Sequence, residues 1–229
     1  MRKYLLVLLS LSIFLSEIIL RINEIAGFFI YSFLISGCLL SLSRAESLNN
    51  HAKLIIVFMI LPIIRIAELF VVFEFFWKVL IIYLILFFLV SFYSIRFKIN
   101  PGWTKKKLWL LPLVIVFSAI LGYVGNVFFN FEGYPELLLL IPLIAYADEV
   151  LFRGLIQNYA KKSYGAVSSI LFTALLYGIF SMSYGFPAVL FIFLMALTIS
   201  LIYNFTRNIF LTIAMNMVFH VFLFLSHIL

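Results

Sequence analysis

The 229 residues are 66% hydrophobic and only 11% charged, with 28 Phe and 12 Tyr. Soluble domains are about 45–50% apolar, so a soluble fold could not clothe its surface from this composition. A formal charge of +7 would suggest nucleic acid in a soluble chain. Here the cations sit in short segments between apolar runs, where they set membrane orientation instead.

Nine runs reach the length of a spanning helix, ~17–25 residues: 4–20, 25–43, 54–71, 76–95, 108–130, 137–158, 165–181, 187–203 and 209–229. The sequence therefore predicts an all-α, polytopic membrane helix bundle of about nine transmembrane helices, with an N-terminal four-helix region over 1–100 and a second region over 108–229. The first run, preceded by Arg2 and Lys3, imitates a signal peptide. It has no small-residue cleavage site and carries Glu17, so a retained anchor is expected. Cys38 in the second run is the sole cysteine, which excludes a disulfide framework and reads as a small buried hydrophobe. The third run holds Arg65 and Glu68, with Pro62 expected to bend it; it could also form one bent hairpin with the fourth. Glu17 lies ~20 Å and Arg65 ~17 Å along their helices at 1.5 Å per residue, so a buried ion pair is expected.

With the N-terminus cytoplasmic, alternate loops on that side collect Arg2, Lys3, Arg44, Lys53, Arg96, Lys98, Lys105, Lys106, Lys107, Lys161, Lys162 and Arg207. The other side holds Arg21 and Lys78, beside Glu24, Glu74, Glu132 and Glu136. That asymmetry supports both the span count and a cytoplasmic N-terminus.

Ionisable groups at bilayer depth cost ~2.5–3.5 kcal/mol each even on lenient scales, so each needs a partner or a task. The sixth run carries Asp148, Glu149 and Arg153. Two adjacent carboxylates cannot both ionise cheaply in hydrocarbon. Arg153, four residues on, can hold Glu149 ionised and leave an acid free as general base toward a water. The ninth run places Asn216 and His220 on one face, at a depth close to that of Glu149.

These residues resemble the CAAX-protease and bacteriocin-processing (CPBP/Abi) family of intramembrane proteases. The family's Glu-Glu-x-x-x-Arg motif reads Asp148-Glu149-Val150-Leu151-Phe152-Arg153 here. Its Phe-x-x-x-His motif corresponds to Tyr177-Gly178-Ile179-Phe180-Ser181, with Ser181 in the place of the histidine. The polar lead-in to the third motif resembles 203–209, and Asn216-Met217-Val218-Phe219-His220 carries that motif's two residue types in reverse order. The resemblance covers 108–229. It implies an intramembrane endopeptidase of the type II CAAX prenyl endopeptidase kind, acting on a membrane-delivered peptide or protein within the lipid bilayer, with no nucleic acid partner. A cytoplasm-facing cavity between the sixth, seventh and ninth spans is expected to admit the peptide. Asp148 would hold the base position, Glu149 and Arg153 would support it, and Asn216 and His220 would face the substrate oxygen. A zinc cofactor is compatible with the resemblance, with Glu149 and His220 as metal candidates. Asp148 could join them in a two-carboxylate, one-histidine set, leaner than the usual His-rich site. Ser181 can hydrogen-bond a water but cannot take up a proton near neutral pH. An inactive relative acting as scaffold, immunity factor or export regulator is therefore an alternative. A transporter is a third, motivated by Glu17, Arg65 and Glu68, although no internal repeat supports it. The prokaryotic cytoplasmic membrane is the expected location.

Overall fold

A computed structural model describes residues 4–43, 49–128, 135–182 and 185–228. Arg2, Lys3, Arg44 and Glu132 of the charge count lie outside them. Among the described residues all regular structure is helical, as hydrocarbon requires when no water is present to satisfy backbone groups.

Helix α1 (Leu5–Ile22) ends at Asn23, whose side-chain oxygen accepts from the Ala26 N–H and starts α2 (Glu24–Ser43). The third run is broken into α3 (Asn50–Phe58) and α4 (Ile60–Phe70) around Met59. Pro62 explains the break, since it has no N–H to give the Phe58 carbonyl. Next come α5 (Phe75–Arg96) and α6 (Leu111–Gly125). The sixth run is one rod of changing pitch: a 3-10 turn (Pro135–Leu140), α7 (Ile141–Glu149), a π-helical stretch (Val150–Gln157) and α8 (Asn158–Tyr164). Gly165, at φ +84°, ends that rod before α9 (Ala166–Phe180), and α10 (Phe186–Thr206) and α11 (Ile209–Ile228) complete the chain. Five described helices are long and apolar enough to cross a membrane, and two further apolar helices are shorter. With the two broken rods, these account for the nine expected spans. The chain is a helical membrane protein.

One hydrophobic core runs from Leu6 in α1 to Leu223 in α11, so the N-terminal helices pack into the same body as the later ones. A ladder fixes the sixth rod against α10. Arg153, Gln157 and Lys161 donate to the Ala196 carbonyl (3.1 Å), the Ser200 carbonyl (3.0 Å) and Asn204 Oδ1 (2.6 Å), each partner four residues beyond the last.

The cation-bearing segments gather at one end, which residues 97–110 seal. Pro101 is buried there and its carbonyl accepts from the Tyr203 hydroxyl at 2.9 Å. Asn208 donates to the Lys106 carbonyl at 2.8 Å, and Ile209 N–H donates to the Gly102 carbonyl at 3.1 Å. Gly102 has φ +95°, and a Cβ added there would sit 2.5 Å from the Arg207 carbonyl oxygen. Gly102→Ala is expected to destabilise the protein by about 1–3 kcal/mol, read as a lower melting temperature in detergent. At the opposite end, Phe76 and Val79 of α5 pack on Leu137, Leu140 and Phe224.

Candidate active site

The π-helical stretch starts directly after the acid doublet and spans Arg153. Such turns are rare and recur at functional sites. The helical twist separates the two neighbouring acids. Asp148 reaches a cavity of about 340 Å³, whereas Glu149 lies fully buried behind its wall. Asp148 Oδ2 accepts from the Tyr177 hydroxyl at 3.1 Å, and Tyr83 of α5 lines the same cavity.

Glu149 Oε1 lies 3.3 Å from Arg153 Nη1 and accepts from Asn216 Nδ2 at 3.0 Å. The Arg153 guanidinium is fully buried and lies 4.9 Å from the centre of the Tyr177 ring. The expected Glu149–Arg153 pair is therefore formed, and Asn216 meets the acid motif at matching depth. Asn216 does not line the cavity, however: its amide is spent on Glu149 and approaches the Tyr177 hydroxyl at 3.5 Å.

His220, half-buried, does line the cavity. Its Nδ1 lies 2.9 Å from the Asn216 carbonyl oxygen. A carbonyl can only accept, so Nδ1 carries the hydrogen and Nε2 of the neutral ring keeps its lone pair. Ser181 lines the same cavity, but its hydroxyl donates to the Tyr177 carbonyl at 3.0 Å.

Arg65 Nε pairs with Glu17 at 2.6 Å and Nη1 with Glu68 at 2.6 Å. The Tyr31 hydroxyl donates to Glu17 at 2.7 Å, and Arg65 Nη2 donates to the Phe180 carbonyl. The ion pair expected from sequence is thus present. It is not a separate polar centre, because Arg65 and Glu68 form part of the wall that also includes Asp148 and His220. The third and fourth runs therefore help build a cavity that the sequence ascribes to the sixth, seventh and ninth alone. Nor does the cavity lie toward the cation-rich end, which residues 97–110 close. Three of its lining residues, Glu68, Phe75 and Lys78, sit where α4 ends and α5 begins, and Phe75 is exposed.

Sequence reasoning missed Tyr83 and the hydroxyl of Tyr177. Tyr177 could have been found, since it replaces the motif's phenylalanine with a ring bearing a donor. Tyr83 has no such signal among so many aromatic residues.

Residues 130–222 match the family model described as Type II CAAX prenyl endopeptidase Rce1-like. Over this stretch, less than half of the chain, the protein is similar to that family. No curated protein and no solved structure matches the chain. At the level of the family, the match points to an intramembrane endopeptidase. The matched stretch contains Asp148, Glu149, Arg153, Tyr177, Ser181, Asn216 and His220, while Arg65 and Tyr83 of the cavity wall lie before it.

Among the described residues the side chains do not fit a zinc site. Among the described residues no three His, Cys, Asp or Glu side chains converge on a point that could hold a metal. Glu149 is turned away and held by Arg153, and Glu68 is held by Arg65. Asp148 and His220 remain, one short of the three protein ligands of most catalytic zinc centres.

Proposed function

We propose that the chain is an active intramembrane endopeptidase whose water is activated between Asp148 and His220. The observation that carries this reading is the division of the acid doublet. One carboxylate faces the cavity, and the other is neutralised behind it by Arg153 and Asn216. A purely structural pair would need only the second.

In this mechanism the Asp148 carboxylate accepts a proton from water as the water oxygen adds to the scissile carbonyl carbon. His220 Nε2 accepts a hydrogen bond from the same water and orients it. The C–N bond then breaks, the proton held by Asp148 passes to the departing amide nitrogen, and a free carboxyl and a free amine result. The Ser181 hydroxyl is spent on the Tyr177 carbonyl, so the oxyanion donor is the Tyr177 hydroxyl. Once Asp148 is protonated it no longer needs the phenol as a donor, so the Tyr177 O–H is released to the oxyanion forming beside it. Tyr177→Phe should therefore lower kcat by about 10²-fold with KM little changed, as steady-state cleavage of a fluorogenic membrane peptide would register.

The test of the whole reading is cleavage of membrane-delivered peptides by the purified protein in liposomes, beside Asp148→Ala and His220→Ala, with and without chelator. Cleavage lost in both variants supports it. Should no peptide be cut until Ser181→His, Asn216→His and His220→Asn restore the family pattern, the natural chain is a non-catalytic relative and the reading fails.

A further inference from the structure

We propose that Lys161 and Arg207 form a phosphate site at the cation-rich end of the bundle, and that its occupant is the headgroup of an anionic phospholipid. The inference is independent of the endopeptidase reading, because neither residue lines the cavity. Three observations carry it.

The first is how the two cations are held. Asn158 and Lys161 stand three residues apart on the sixth rod, and Asn204 and Arg207 three apart at the end of α10. The pairs cross: Lys161 Nζ donates to Asn204 Oδ1 at 2.6 Å, and Arg207 Nη1 donates to Asn158 Oδ1 at 2.9 Å. Asn158 is itself fixed, since its Nδ2 donates to the Gly154 carbonyl and to the Tyr203 hydroxyl, each at 2.8 Å. Both cations are therefore pinned by neutral amides, which orient a charge without cancelling it. Their like charges repel. Arg207 also takes a left-handed backbone, at φ +53°, that Gly or Asn would adopt more readily. These bonds use one donor of each cation, out of three on a lysine and five on an arginine. A phosphate has enough acceptor oxygens to take donors from both at once.

The second is the charge balance. Asn208 donates to the Lys106 carbonyl at 2.8 Å, and Lys107 Nζ donates to the Phe205 carbonyl at 2.8 Å. Residues 97–110 therefore lie against the end of α10 and add Lys105, Lys106 and Lys107 to Lys161, Lys162 and Arg207. The segments 97–110, 154–165 and 200–212 contain no Asp or Glu. A helix C-terminus supplies only about half a negative charge, so the ends of the sixth rod and α10 offset little of this excess. The three segments cannot neutralise themselves.

The third is what surrounds the cations. Trp109 is 76% exposed and Phe205 67% exposed, and the Phe205 ring centre lies 3.4 Å from Lys107 Nζ. Exposed rings beside exposed cations mark the depth where headgroups meet acyl chains. A soluble anion gains nothing from such rings. A phospholipid lays its chains on them while its phosphate meets the basic cluster.

Phosphatidylglycerol with brominated acyl chains is titrated into the full-length protein in dodecyl maltoside. Binding is read as quenching of Trp103 and Trp109 in a Trp77→Phe background. Phosphatidylcholine with the same chains is the zwitterionic control, and glycerol phosphate is the competitor without chains. Lys161→Gln keeps a donor for Asn204, and Arg207→Asn tolerates the left-handed backbone. Phosphatidylglycerol is expected to bind about tenfold more tightly than phosphatidylcholine or better, and to resist glycerol phosphate. Its affinity is expected to fall about 5-fold in each variant and about 25-fold in the double variant. Lys53→Gln with Arg96→Gln removes the same charge from α3 and α5 and is expected to leave the preference intact. Equal affinity for the two lipids overturns the inference, a readout that needs no substitution at the site. An equal loss in the Lys53 and Arg96 pair also overturns it, since diffuse surface charge then accounts for the binding. Displacement by glycerol phosphate at matching concentration overturns the lipid assignment and makes the ligand a soluble phosphate.

Discussion

Asp148→Asn is expected to lower peptide cleavage by about 10²–10⁴-fold, the range supplied by a positioned general base, and to leave the fold intact. The asparagine side chain has the same shape, and its oxygen can still accept from Tyr177, so the packing of α7 against α9 is undisturbed. What it loses is the ability to take a proton from water. The informative companion is Glu149→Gln, one residue away. Glu149 is fully buried and holds Arg153 rather than facing the cavity. Its substitution should therefore act chiefly on stability. Single-turnover cleavage and thermal unfolding of both variants in the same detergent separate the roles. If Glu149→Gln silenced cleavage in a fully stable protein while Asp148→Asn remained active, the two assignments would have to be exchanged.

The second large effect is on stability. Arg153→Met should destabilise the protein by about 3–5 kcal/mol, because it leaves the Glu149 carboxylate buried without its cation. It also removes the donor to the Ala196 carbonyl. The double change Arg153→Met with Glu149→Gln should recover a large part of the loss, since it removes both charges together. Equilibrium unfolding in mixed micelles would measure the coupling. An additive double variant would show that Arg153 acts through its packing on Tyr177 rather than through charge.

The span pattern was legible because apolar length and loop charge are one-dimensional signals. The 209–225 helix and the 166–180 helix could be found from residue order alone, as could the Glu17–Arg65 pair, because two charges in hydrocarbon must seek each other. The division of labour between Asp148 and Glu149 was not legible. Neighbours in sequence differ only by the turn of the helix between them, and which one faces a cavity depends on the rods around it. The joining of the Arg65 cluster to the same cavity was hidden for a similar reason. It requires α4 to break at Met59 and α5 to approach α7, a tertiary outcome that no local pattern encodes. The π-helical stretch escaped as well. Its residues read as an ordinary amphipathic helix, and the i to i+4 spacing of Glu149 and Arg153 suggests regular α geometry.

The donor ladder between the sixth rod and α10 has a mechanical meaning. Its rungs repeat at the same interval on both helices, so the two can move together but cannot slide. A slip of one turn would carry Asp148 ~5.4 Å along the axis and away from the Tyr177 hydroxyl. It would also require three donors to exchange acceptors at once. Any opening of the cavity to admit a chain must therefore come from elements outside this locked pair. Between the sixth rod and α10 the protein has a fixed jaw, and the α4–α5 turn beside the cavity lies outside it.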